Sequence, residues 1–273
     1  MPLANDDLKF NFGCASCGYQ AEDAPLGRIE VARMTEKLDA LFDRNDLDGA
    51  GRLLDYWHAE ARRLRDERGE LSVLNEEIGY FRKTENKEKA EEAICRALFL
   101  LKKHDLESAL SGATLLLNIA TTKKAFGQAR EALPIYEAVL AVYREKLPEG
   151  DARMGGLYNN YALALADEGK IKEAEAAYRQ AIAVMTALPD GKPEAAVSYI
   201  NLAQVYGQDE EKSGEDILSC METAYRLLSD KENARNGNYF FVLSKCAPAL
   251  REAGFIEEAD DMERQVKEFY ERP

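Results

Sequence analysis

The sequence predicts an all-α solenoid of about six helix-turn-helix repeats. Three observations predict it: a motif that returns about every 42 residues, apolar residues spaced for helices inside each copy, and the lack of alternating runs long enough for sheet.

The chain opens on an arm, residues 1–27, whose "FNFGCASCGYQAEDAPLG" is rich in glycine and small residues and has no helical period. Cys14 and Cys17 have zinc-knuckle or redox spacing. One pair supplies only half of a zinc ligand set, and a redox site needs a βαβ setting. An irregular or flexible arm with two free thiols is expected, with zinc shared between two chains as the alternative. The repeats are expected to fill 28–273.

Along that stretch a buried-type anchor recurs. The first copy has Ala50, Leu54 and Trp57, and the second Ala90, Ile94 and Ala97. The third and fourth are stronger and add a glycine five residues before the anchor: Gly127, Ala132, Tyr136, Val139, then Gly169, Ala174, Tyr178, Ala181. The fifth has Ile217, Met221 and Ala224, and the sixth Gly254, Ala259, Glu263 and Val266. Anchors at 50, 90, 132, 174, 217 and 259 stand 40, 42, 42, 43 and 42 residues apart. Such a period marks units that bury their apolar faces on one another.

Each unit reads as two helices. In "LYNNYALALADEGKIKEAEAAYRQAIAVM" (157–185), Tyr158, Tyr161, Ala162 and Leu165 share one helical face. "DEGK" at 167–170 breaks that helix, with Gly169 suited to a left-handed cap. A second stripe follows at Ile171, Ala174, Tyr178 and Ala181, and the alanines let the two backbones approach closely. "LPEGD" (147–151) and "LPDGKP" (188–193) punctuate the unit on either side.

The glycine, the small residue five later, the tyrosine and the second small residue resemble the tetratricopeptide repeat (TPR) signature, most specifically in the copies centred on 132 and 174. The lengthened step is similar to that of kinesin light chains. The resemblance spans about 30–273 and implies a right-handed superhelix whose first helices line a concave groove. The copy at 217 departs from it through extra residues, "GQDEEKSGED" (207–216). Members of the family bind proteins or peptides and are seldom enzymes.

Composition narrows the partners. The chain has 36 Lys plus Arg against 50 Asp plus Glu, a net charge of −14. Nucleic acid and anionic membrane, which call for a dominant basic patch, are therefore not expected as partners. "MPLANDDLKF" has no basic n-region or apolar h-region, so no signal peptide is expected. "ALFLL" (97–101) and "TLLLNIA" (114–120) are too short to span a bilayer. Five cysteines, with Cys95, Cys220 and Cys246 inside helical patterns, point to reduced thiols and a cytoplasmic location.

Catalytic chemistry has no foothold. His58 and His104 sit in no motif, His104 reads as a helix-end residue, and no glycine-rich phosphate loop exists. No enzyme activity, cofactor or metal is expected. A stand-alone adaptor is preferred over the alternative, a regulator that senses a signalling peptide.

The adjacent asparagines of "YNNYA" need a reason, because asparagine is a mediocre helix former. Asn160 lies fourteen residues before its anchor, on the side away from the apolar stripe. The same slot holds Asn118 and, allowing for the insertion, Asn201; it holds Lys245 in the last copy and Glu76, beside Asn75, in the second. The resemblance puts this side on the groove, where an amide suits the backbone of an extended peptide; the alternative is that these amides bond neighbouring helices or water. Arg82, Lys124 and Arg251 stand eight residues before their anchors, and with Lys83 and Lys245 would make a basic strip favouring acidic segments. The candidate groove residues are thus Asn75, Arg82, Asn118, Lys124, Asn159, Asn160, Asn201, Gln204 and Lys245.

Overall fold

The structure is a computed structural model that describes residues 24–271; Cys14 and Cys17 lie outside the described residues. Among those residues it holds twelve α-helices and no strand. They fall into two compact units, the first ending at Glu145 and the second starting at Lys146.

The first unit contains α1 (Val31–Asp43), α2 (Leu47–Arg63), α3 (Glu67–Lys83), α4 (Lys87–Lys103), α5 (Leu110–Ala125) and α6 (Ala129–Lys146). Helix α1 packs on α2 and α3 on α4, while α5 meets α6 through Tyr136 Oη to Thr121 Oγ1 at 3.3 Å and Thr114 Oγ1 to Tyr143 Oη at 3.2 Å. The second unit contains α7 (Ala152–Asp167), α8 (Ile171–Thr186), α9 (Lys192–Tyr206), α10 (Gly214–Leu228), α11 (Gly237–Glu252) and α12 (Ile256–Tyr270). They pair in the same way: α7 with α8, α9 with α10, α11 with α12.

The turns explain the regularity. Gly127, Gly169 and Gly254 have φ of +75°, +71° and +95°, the left-handed cap that ends a first helix five residues before its anchor. In the two weaker copies the same slot is left-handed but filled by Asn45 and Glu85, at +53° and +56°. The backbone motif therefore persists where its glycine does not. Arg65 and Asp105 repeat it between hairpins. Asp46, Asp66 and Asn86 follow three of these turns directly, and each accepts an amide N–H of the next helix, from Gly49, Gly69 and Lys89. After Asp105 comes Leu106, which cannot cap, and α5 begins only at Leu110.

Anchors Ala50, Ala90, Ala132, Ala174 and Ala259 are fully buried, and Met221 and Ala224 are buried in the remaining copy, where Ile217 is only half-buried. Of the extra residues of that copy, 214–216 open α10 and 207–213 form the α9–α10 link. Lys212 pins it, lying 4.4 Å over the Tyr206 ring and 3.2 Å from the Glu175 carboxylate, which also accepts the Tyr206 hydroxyl. Ser213 and Asp216 then form a capping box that starts α10.

Candidate peptide-binding groove

In the first unit the odd-numbered helices lie side by side, α3 packing on both α1 and α5. Together they line a groove of about 460 Å³. Met34, Leu71 and Leu115 make an apolar floor, joined by Leu101 and Leu106 from the end of α4 and the turn after it. Thr35, Ser72, Asn75, Ser111 and Thr114 make a polar rim, and Arg68 and Glu76 carry its charges. Gly112 permits this close turn, since a Cβ there would stand 1.9 Å from the Leu106 carbonyl oxygen.

One polar chain leads from that rim along the helices. Asn118 Nδ2 donates to the Asn75 carbonyl at 2.8 Å and reaches Asn75 Oδ1 at 3.3 Å. Asn118 Oδ1 accepts from Arg82 Nη1 at 2.8 Å, and the same nitrogen donates to the buried Thr122 Oγ1 at 3.0 Å. Burial holds the Arg82 guanidinium below its usual pKa.

Helix α3 itself is clamped by a buried ionic cluster. Arg96 grips Glu70 with two bonds of 2.8 Å, and Arg62 Nε reaches it at 3.3 Å. His58 Nδ1 stands 2.6 Å from Glu77 Oε1, while its Nε2 is 3.6 Å from Glu70, an electrostatic contact rather than a hydrogen bond. Burial pushes the Glu70 carboxyl up, but Arg96, His58 and Arg62 outweigh it and hold it down at about 2. Burial pushes His58 the other way, and the Glu70 and Glu77 carboxylates reverse this to hold it at about 9. His104, expected only as a helix-end residue, also bonds Glu67 at 2.8 Å.

In the second unit α9 packs on both α7 and α11. Asn201 Nδ2 donates to Asn159 Oδ1 at 3.2 Å, and Ser198 Oγ donates to the same oxygen at 3.1 Å. Asn238 Nδ2 donates to Glu194 Oε1 at 2.7 Å. On α11 the exposed Lys245 sits 5.3 Å over the ring of the exposed Phe241.

Two tetratricopeptide-repeat family models match the sequence, over residues 113–151 and 153–213. The chain carries tetratricopeptide repeats. Solved structures show the same fold. BtubC (BKLC) from P. vanneervenii is 21% identical with a TM-score of 0.64, the match covering 76% of this chain and 84% of that one. A Podosopora anserina protein assigned as a kinesin light chain with nearly identical TPR-like repeats is 19% identical, with a TM-score of 0.53 over 72% of this chain and 93% of that one. A point variant of that protein gives 0.54, also at 19% identity, over 72% and 92%. No curated protein matches.

Within these repeats the adjacent asparagines have different surroundings. Asn159 accepts from the next hairpin, whereas the half-buried Asn160 makes no side-chain hydrogen bond. Asn75 lines the groove of the first unit; Asn118 stands behind it, engaged at both ends of its amide. Gln204 is exposed on α9, and Lys124 is half-buried in the last turn of α5. Arg251 does not belong to an open basic strip: its guanidinium is held by Asp260 and Glu263 of its partner helix α12. Lys83 lies 4.9 Å over the Phe42 ring. The hydroxyls of the rim were missed, although Ser72 and Thr114 stand one turn before Glu76 and Asn118 and could have been found by that spacing. Among the described residues no helix is long and apolar enough to cross a membrane.

Proposed function

We propose that the chain is a non-enzymatic scaffold that holds an extended segment of a partner protein along α1, α3 and α5 of the first unit, with an apolar side chain of that segment seated in the groove there. Tetratricopeptide repeats are protein-interaction modules in general. The observation that carries the finer reading is the groove itself. Its volume of about 460 Å³ lies within the usual range for a ligand pocket, its floor is apolar, and its rim offers hydroxyls and an amide for a peptide backbone.

The test is to fill the groove from its rim. Ser111→Trp places a large side chain at an exposed rim position without touching the core. A display library of random decapeptides is selected on wild type and variant. Wild type is expected to retain peptides sharing one large apolar residue, and the variant to lose them while melting within a few degrees of wild type. Retention of the same peptides by a folded Ser111→Trp protein would place binding elsewhere.

A further inference from the structure

Asn236–Gly237 is the only Asn–Gly step in the sequence. It stands where the loop after α10 enters α11, and both residues are exposed. Asn236 is the N-cap, with an extended backbone (φ −102°, ψ −179°), and its Oδ1 accepts the Tyr239 N–H at 3.0 Å. Its Nδ2 makes no hydrogen bond. Gly237 opens the helix, so its own N–H has no acceptor within α11, nor does it find one in the loop. A Cβ at Gly237 would meet nothing within 4 Å. Asn86 supplies the contrast. It too is an exposed N-cap, and its Oδ1 accepts from Lys89 N at 3.2 Å. The amide after it belongs to Lys87, which carries a side chain and donates to the Glu85 carbonyl at 3.1 Å. A side chain on the following residue crowds its nitrogen against an approaching Cγ, whereas glycine has none and turns freely.

We propose that Asn236 is a self-modification site that turns its amide into an acid without an enzyme, and that the isoaspartate form unlocks the hairpin of α11 and α12. The Gly237 nitrogen gives its proton to solvent and attacks Asn236 Cγ, the Cγ–Nδ2 bond breaks, and ammonia leaves. A succinimide ring remains, with the Gly237 nitrogen bonded to both carbonyl carbons of residue 236. Water then opens the ring at one carbon or the other. Cleavage at Cγ yields aspartate, which caps a helix as well as asparagine does. Cleavage at the main-chain carbonyl carbon yields isoaspartate, in which the chain runs through Cβ and Cγ. That form displaces both oxygens that hold the first turn: Oδ1, bonded to Tyr239 N–H, and the carbonyl oxygen, bonded to Phe240 N–H at 3.2 Å. The same turn carries the Tyr239 hydroxyl to the Leu228 carbonyl at 2.9 Å and stacks Phe240 on Phe269 of α12 at 4.2 Å. Loss of the cap therefore loosens the contacts that tie α11 to α10 and α12.

For the test, the full chain is aged in neutral buffer and digested in mild acid, and the peptides holding Asn236 and Asn86 are followed by mass spectrometry. Asn236 is expected to exchange amide for acid at least about tenfold faster than Asn86, a barrier lower by about 1.4 kcal/mol. Gly237→Ala fits the open space, keeps the cap and should slow Asn236 to the Asn86 rate. A protein isoaspartate methyltransferase with a labelled methyl donor should mark aged wild type and leave aged Gly237→Ala unmarked. In isoaspartate-bearing wild type the Tyr239 and Phe240 amides should exchange hydrogen at least about tenfold faster than in fresh protein. Freshly made Asn236→Asp should keep them protected. Equal rates at Asn236 and Asn86, or no slowing in Gly237→Ala, would refute the modification. An isoaspartate-bearing protein whose α11 amides exchange like those of fresh protein would refute the unlocking.

Discussion

Replacing Glu70 by glutamine keeps its shape and removes its charge from the centre of the α2–α3–α4 cluster. The carboxylate is almost fully buried and faces Arg96, Arg62 and His58. Its drop from 4.5 to about 2 corresponds to about 3 kcal/mol of stabilisation. For a unit of this size that is roughly 6–12 °C in melting temperature. Because the folded value is depressed, this stabilisation is complete above pH 4.5 and is lost as pH falls through about 2. His58 runs the opposite way. Its folded value is raised from 6.5 to about 9, so its contribution is complete below pH 6.5 and is lost as pH rises through about 9. The two share one interaction and are not summed. Thermal unfolding followed by circular dichroism at 222 nm should therefore show the widest gap between wild type and Glu70→Gln between pH 4.5 and 6.5. The gap should narrow above pH 9, where the wild-type imidazole loses its proton and only the arginine pairing remains. Equal melting at pH 6, or a gap that stays constant to pH 10, would refute this account of the cluster.

Ala174 is fully buried where α7 meets α8, so Ala174→Leu should overpack the join and cost about 1–3 kcal/mol by urea denaturation. Glu85 holds a left-handed turn at φ +56°; Glu85→Gly should release that strain, net of glycine's entropy, and gain about 0.5–1 kcal/mol in the same assay. Asn118→Ala breaks the bonds to Asn75 and Arg82 and should cost about 1–3 kcal/mol. Asn160→Ala removes no side-chain bond and should leave the melting temperature unchanged or raise it slightly. Equal effects of these two asparagine substitutions would show that the slot is used alike in both units.

The repeat was legible because its signals are local. A left-handed turn followed five residues later by a fully buried alanine is written within one short stretch of chain. The turn recurs at Asn45 and Glu85 where the glycine is missing, because asparagine tolerates the geometry and glutamate bears its strain. In the first unit Glu76, which holds the repeated slot, and Asn75 beside it both line the groove formed with α1 and α5.

What each polar side chain does there could not be read. Asn159 and Asn160 are neighbours of one type, yet only Asn159 meets Asn201 and Ser198, because that depends on how α9 lies against α7. Arg82 and Arg251 hold the same repeat slot, but α12 offers Arg251 two carboxylates, whereas Arg82 meets only an amide and a hydroxyl. The ionic cluster gathers His58, Glu70, Glu77 and Arg96 from three helices, and the groove floor needs Leu101 from the end of α4 and Leu106 from the turn that Gly112 lets pack closely. Sequence alone determined the helices, their turns and their buried faces, since those follow from contacts three to five residues apart. Only the tertiary structure decided which polar groups are paired and which stay open, since a side-chain hydrogen bond forms or fails within a few tenths of an ångström of helix placement.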